Sequence, residues 1–203
     1  MGGYFPAMIR ITHFLRAAAV AGLAAATVIL PTHGGASAAP VTPAAPSATV
    51  QAPALSAAAK AYTAKFKGAV CVNGHVENIG WQGWRCNRSG RPVMVGTTGQ
   101  SLRLEAVSIL TTKAGGICAK AHVQNIGWMR TRCARANRIV TVGTTGQALR
   151  LEALRLSTAK RVCAEGHVQN IGWQGMECAR KWNWVEVGTT GQSLRLEALK
   201  VLV

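Results

Sequence analysis

The sequence predicts an all-β fold in which three tandem repeats of about 45 residues form one pseudo-threefold domain, β-prism-like or, as the alternative, β-trefoil-like. Three observations lead there: a set of motifs that occurs three times at near-constant spacing, a cysteine pair held in the same register in each copy, and a period of two in the stretch that closes each copy.

The motifs set the repeat. His75-Val76-Glu77-Asn78-Ile79-Gly80-Trp81 returns as His122 to Trp128 and as His167 to Trp173. Gly96-Thr97-Thr98-Gly99-Gln100 returns from Gly143 and from Gly188, and Leu102-Arg103-Leu104-Glu105-Ala106 returns from Leu149 and from Leu194. All three shift by 47 and then by 45 residues, and the difference falls between Ala106 and Cys118, which marks a surface loop. Three units of this length favour closed symmetry over an open solenoid, which usually needs more repeats and distinct caps.

The cysteines follow the same register: Cys71 and Cys86, Cys118 and Cys133, and Cys163 and Cys178 are each 15 apart. Six cysteines allow 15 connectivities, so periodicity and geometry make the assignment. An antiparallel hairpin around Glu77-Asn78-Ile79-Gly80 sets Val76 against Trp81, Asn73 against Trp84 and Cys71 against Cys86, and a two-residue Asn78-Ile79 turn keeps that register. A closed loop of about 15 residues stabilises by roughly 3 kcal/mol per bridge.

Each repeat offers about four short strands. The stretch Pro92 to Val95, matched by Ile139 to Val142 and Trp184 to Val187, runs into the Gly-Thr-Thr-Gly turn. In Leu102 to Leu110 the alternation puts Leu102, Leu104 and Ala106 on one face and Arg103 and Glu105 on the other, as in a half-buried strand.

The N-terminal third reads differently. Arg10 and Arg16 precede the apolar run Ala17 to Leu30 and the small residues Ala36-Ser37-Ala38, the layout of a secretory signal peptide over residues 1–38. That run has 14 residues, whereas a membrane-crossing helix needs about 20. Residues 39–67 read as an Ala/Pro-rich linker with a short helix from Ser56, its N-cap, to Lys67, and the repeats follow at 68–113, 114–159 and 160–203. Export leads to a secreted, extracellular or cell-wall-associated protein with three disulfides.

The chain carries a formal charge of +16, and all seven of its acidic residues are Glu. Removing Arg10 and Arg16 with the leader leaves +14. Such a charge attracts anionic polymers by a salt-sensitive force without chemical selectivity, and it calls for no specific nucleic acid.

The His-Val-Gln-Asn-Ile-Gly-Trp stretch, the Gly-Thr-Thr-Gly-Gln turn and the Leu-Arg-Leu-Glu-Ala strand together resemble the ChW repeat, named for its hydrophobic character and its Trp. The resemblance covers about residues 68 to 203 and implies a surface-exposed or secreted protein that binds glycans or proteins without catalysing a reaction. The sequence departs from that pattern in adding a cysteine pair to every repeat and in carrying no other module, which weighs against a role as the targeting appendage of an enzyme.

Candidate ligand-binding residues follow from the repeat. Trp81, Trp128 and Trp173 are either plates for sugar rings, aided by the amides of Asn78, Asn125 and Asn170, or anchors of a threefold core. Trp182 and Trp184 occur once each and suit one asymmetric contact surface, and Arg88, Arg135 and Arg180 are expected in basic loops at equivalent corners. Arg103 with Glu105, and its two copies, either pair across strands on a solvated face, the favoured reading, or coordinate a ligand. His75, His122 and His167 each follow a cysteine by four residues, but three ligands per set in an exported chain do not make a zinc site, so no metal and no cofactor are expected. With no Asp, and with most ionisable motif residues repeated as a scaffold requires, the chain reads as a non-enzyme. Its expected partner is an extracellular glycan or anionic cell-wall polymer, or a protein, and no transmembrane segment is expected in the mature chain.

Overall fold

The computed structural model describes residues 50–203, so the expected signal peptide and the first part of the expected linker lie outside the described residues. One helix, α1 (Ala57–Lys65), leads into the repeats; the Ser56 hydroxyl caps it by accepting the Ala59 amide at 3.2 Å. The first repeat supplies β1 (Ala69–Val76), β2 (Gly80–Trp81), β3 (Arg85–Arg88), β4 (Val93–Gly96) and β5 (Leu104–Thr111). The second supplies β6 (Ile117–Val123), β7 (Gly127–Trp128), β8 (Arg132–Ala134), β9 (Ile139–Gly143) and β10 (Leu151–Ser157). The third supplies β11 (Arg161–Val168), β12 (Gly172–Trp173), β13 (Glu177–Arg180), β14 (Val185–Gly188) and β15 (Leu196–Leu202). Among the described residues no helix is long and apolar enough to cross a membrane.

The strands form three antiparallel five-stranded sheets, but no sheet is built from one repeat alone. Each repeat pairs its first strand with its second, third and fifth, and the fifth then accepts the fourth strand of another repeat. Thus β5 pairs with β9, β10 pairs with β14, and β15 pairs with β4, so the exchange runs from first repeat to second, second to third, and third back to first. The hydrogen-bond pattern therefore closes on itself.

The closing contacts explain the Gly-Thr-Thr-Gly motif. Gly96 faces Ala198, Gly143 faces Ala106 and Gly188 faces Ala153, each with φ between 90° and 100°. A Cβ on Gly143 would collide with the main-chain oxygen of Glu105 and lie 2.7 Å from Ala106 Cα, and the other two positions are as tight. Only glycine supplies both the positive φ and the close approach.

Apolar residues from all three repeats meet in one core. Val70, Val72 and Val76 of β1 pack with Leu104, Val107 and Ile109 of β5, and Leu151, Leu154, Leu156, Leu196, Leu199 and Val201 take the same places in the other copies. A fully buried Val, Leu or Ile contributes about 1.5–3 kcal/mol, and a repeat of this size has too few of them to fold alone.

The alternation expected for Leu102 to Leu110 breaks inside β5. Val76 pairs with Leu104 and His75 with Ala106, so Glu105 is the extra residue of a β-bulge, and the core face passes from Leu104 to Val107 instead of Ala106. Glu152 and Glu197 are the bulged residues of β10 and β15 in the same register.

The hairpin register also differs at its tip. Cys71 pairs with Cys86 as expected, but Trp81 faces His75 instead of Val76. The cause is a turn over Glu77-Asn78-Ile79, closed by the Ile79 amide donating to the Val76 oxygen at 3.1 Å with Asn78 at φ 62°. A positive φ at the third turn position is what a type II turn requires. Gln82 to Trp84 lie outside the ladder and take up the one-residue slip before β3 begins.

One sheet face is treated differently in the first repeat. Asn73, Ser108 and Thr141 form a row across β1, β5 and β9 and are buried, whereas Lys120, Arg155 and Glu186, and Glu165, Lys200 and Met94, hold the same rows in the other sheets and reach solvent. Residues 50–59 pack on this sheet: Val50 is buried and shares a cavity with Thr141, the Trp84 indole donates to the Ala54 oxygen at 3.0 Å, and Ala59 is buried where α1 meets β1 and β3. The unrepeated Trp84 thus works within the chain.

Candidate binding surfaces

The three hairpin tips are near copies of one another. Asn78, Asn125 and Asn170 sit at φ 62°, 63° and 62° and are exposed, and the next residue in each, Ile79, Ile126 or Ile171, is about half exposed. Asn tolerates the left-handed conformation better than other side chains, which is why it can hold this position without glycine. The exposed Ile triplet escaped the sequence reading; its only signal was a large apolar residue inside a turn, where burial is hard to arrange.

Behind each tip the Trp is half-buried and outside the central core, which removes the core-anchor reading. Its ring meets the paired His edge to face, with centroids 5.3, 5.3 and 5.2 Å apart for Trp81 with His75, Trp128 with His122 and Trp173 with His167. Such pairs contribute about 0.5–1.5 kcal/mol beyond buried area and fix the ring's orientation.

The histidines rest on the bulged glutamates. His75 Nδ1 lies 3.1 Å from Glu105 Oε2, His122 Nδ1 3.0 Å from Glu152 Oε2, and His167 Nδ1 3.1 Å from Glu197 Oε2, close enough for ion pairing though off the line of a straight hydrogen bond. The other carboxylate oxygen accepts Arg103 Nη2 at 2.9 Å, Arg150 Nη2 at 2.7 Å and Arg195 Nε at 2.9 Å. In the first repeat Arg103 also reaches Glu77. The glutamates are 5 to 6% exposed, so these pairs are not the solvated surface pairs that the sequence suggested. The bulge turns a carboxylate that alternation would send outward into a buried brace for His and Arg.

Cations cover part of two of the rings. Arg155 lies 4.4 Å and Lys120 Nζ 5.6 Å from the Trp128 centroid, and Lys200 Nζ lies 3.7 Å from that of Trp173. Arg155 and Lys200 are held by Glu186 at 2.6 Å and Glu165 at 2.8 Å. The equivalent residues beside Trp81 are Asn73 and Ser108, which carry no charge, so the three Trp settings differ in electrostatics while sharing geometry.

Arg88, Arg135 and Arg180 are exposed but lie away from the tips. Arg88 pairs with Ala69 at the start of β1, Arg180 pairs with Arg161 at the start of β11, and Arg135 follows the Ala134 that pairs with Ile117 at the start of β6. The tips lie at the other ends of the same strands, about 23 Å distant at 3.3 Å per residue. Trp182 and Trp184, 47% and 43% exposed, belong to this second end, since the Trp182 amide donates to the Thr158 oxygen at 2.8 Å. The residues singled out in the sequence therefore divide into two surfaces.

All six cysteines form disulfides between directly paired strand residues: Cys71 with Cys86, Cys118 with Cys133 and Cys163 with Cys178. The Cys-x3-His sets thus contain no thiolate to bind zinc. Three disulfides fit an extracellular environment.

Comparison with known proteins adds one finding. Residues 75–113, 122–158 and 167–203 each match the family described as ChW, Clostridial hydrophobic W, together more than half of the chain. No curated protein and no solved structure matches the chain.

Proposed function

Because the chain belongs to the ChW (Clostridial hydrophobic W) family, we propose that it is a secreted, non-catalytic module whose three hairpin tips bind an extracellular polysaccharide or cell-wall polymer. One observation carries the reading: the same exposed Asn and Ile, backed by a Trp fixed in place by His, Glu and Arg, occurs three times in a closed domain. A braced indole with an exposed amide beside it suits the apolar face and hydroxyls of a sugar. Three weak sites of this kind on one rigid domain give avidity for a polymer that repeats. The cations over Trp128 and Trp173 favour sugars bearing carboxylates or phosphates at those tips, and the uncharged surroundings of Trp81 favour neutral ones.

A protein partner is the second reading, supported by the exposed Ile79, Ile126 and Ile171, since branched aliphatic side chains suit a protein surface better than a sugar. In architecture we favour the β-prism over the β-trefoil, because three separate five-stranded sheets joined by strand exchange correspond to the faces of a prism.

The test is retention of the oxidised protein on peptidoglycan, chitin, cellulose and whole cell walls at near-physiological and at high salt. Retention that survives high salt, is competed by a defined sugar and falls in Trp81→Ala, Trp128→Ala and Trp173→Ala supports the reading. Loss of retention at high salt reduces it to charge attraction. No retention on any wall polymer moves the tips to a protein partner.

A further inference from the structure

The end of the molecule opposite the hairpin tips has its own chemistry. The starts of β1 and β11, the β5–β6 connection and the end of β15 converge there on a cavity of about 380 Å³, lined by Gly68, Ala114, Leu202 and Val203 and by the cations Lys113, Lys160 and Arg161. Arg88, Arg135 and Arg180 stand around it, and the Lys181 amide donates to the Lys160 oxygen, which brings Lys181 to the same rim. Lys67, Arg91 and Arg138, beside Gly68, Gly90 and Asn137, complete a set of ten cations, all exposed. Among the described residues none of the ten forms an ion pair, and the carboxylates that do form pairs hold Arg103, Arg150, Arg155, Arg195 and Lys200 elsewhere.

Charge of one sign suits any polyanion, but two further features narrow the choice. Trp182 and Trp184 stand exposed among these cations, and indoles flanked by Lys and Arg are the usual composition of a surface that rests in the headgroup layer of a bilayer. Trp182 also occupies a position that does not suit it. It has φ 64°, where the other repeats place Gly90 and Asn137, and its main-chain hydrogen bond to Thr158 matches those of Gly90 to Val203 and Asn137 to Thr111. The other repeats meet this backbone position with Gly and Asn, so a Trp is strained at this φ, and among the described residues its ring makes no aromatic contact.

We propose that this end docks on the surface of an anionic phospholipid bilayer, with Trp182 and Trp184 inserted at the headgroup level and the ring of cations set against the lipid phosphates. The cavity, apolar within and basic at its rim, would take a lipid headgroup with the first part of its chains. This docking surface is separate from the hairpin tips and does not depend on their ligand, so a chain held at one end leaves the other free.

The test is flotation of the oxidised, exported protein with vesicles of equal parts phosphatidylglycerol and phosphatidylcholine against pure phosphatidylcholine. The expected result is partition to the anionic vesicles alone. Lys160→Glu with Lys181→Glu should weaken it more than about tenfold, because each basic residue near the surface contributes and the replacements repel. Trp182→Asn with Trp184→Ala should remove the part that survives high salt, together with quenching of Trp emission by brominated lipid. The Asn is native to this position in the second repeat, so the variant keeps the fold, which unfolding by denaturant verifies. Failure of the protein to partition to anionic vesicles overturns the proposal. So does partition unchanged by the double Trp variant and displaced by soluble polyphosphate, which would make this end a plain polyanion site.

Discussion

The main-chain oxygen of Glu105 accepts the amide of Thr144, a residue of the next repeat, at 2.9 Å, while the carboxylate of the same Glu105 holds His75 and Arg103 of its own. Glu152 with Thr189 and Glu197 with Thr97 repeat the relationship. One bulged residue thus ties the bracing of the tip Trp to the seam between repeats. Glu105→Ala should cost about 2 kcal/mol, since it leaves a partly buried Arg103 without its counter-charge and removes the carboxylate against which His75 rests, and should also loosen Trp81. Denaturant unfolding and the emission of Trp81 in a background lacking the other indoles would check both effects; a change in stability alone would separate seam from tip.

Gly143→Ala should be far more damaging than Gly146→Ala, although both glycines have positive φ and lie in the same turn. At Gly143 the new methyl meets the backbone of β5, whereas at Gly146 it meets open space. The expected losses are roughly 3 kcal/mol or more at Gly143 and about 1 kcal/mol at Gly146. Equal losses would mean that the strand exchange is looser than described.

Removing one bridge by Cys71→Ala with Cys86→Ala should lower stability by about 3 kcal/mol, the value for a closed loop of this length. Full reduction should unfold the domain cooperatively, because each sheet contains a strand of another repeat and no repeat can survive its neighbours. Three separate transitions in the reduced protein would contradict that cooperativity.

Trp182→Asn alone should raise stability by about 1 kcal/mol, because Asn accepts φ 64° more readily than Trp. The measurement is the denaturation midpoint; a loss of stability would mean that the ring contributes packing that its exposure conceals.

Much of this architecture was legible in the sequence because it depends on local pattern. Cys71 and Cys86 could be paired because both lie in one hairpin, and His75 to Trp81 could be seen as a unit because it occurs three times. The strand exchange was not legible: Val93 to Gly96 has the same sequence character whether it pairs within its own repeat or with Leu196–Leu202 of the third. The bulge at Glu105 was hidden for a related reason, since Arg103 and Glu105 fit simple alternation until Ala106 is seen to face His75. Once missed, it also misplaced the core face of β5 and the burial of the carboxylate.

The candidate sites were legible as residue types but not as places. Trp81 and Arg88 are seven residues apart in sequence, yet the hairpin carries them to opposite ends of β1. Asn73 and Ser108 gave no sign that residues 50–59 pack on their sheet, although the charged residues at the same position in the other two repeats marked those faces as open.

Because the third repeat takes a strand from the first, the strand exchange among the repeats is a circle, and the covalent chain follows it with one cut. Val203 and Gly68, on either side of that cut, line the same cavity. A gene rearranged to join Val203 through a flexible link to Val50, keeping residues 50–67 on the first repeat, and to open instead at the Lys113-Ala114-Gly115 connection should encode the same strand exchange with the repeats read in the order two, three, one. Such a rearrangement keeps the direction of strand exchange, from each repeat to the one that follows it, while the packing of residues 50–59 still marks out the first repeat.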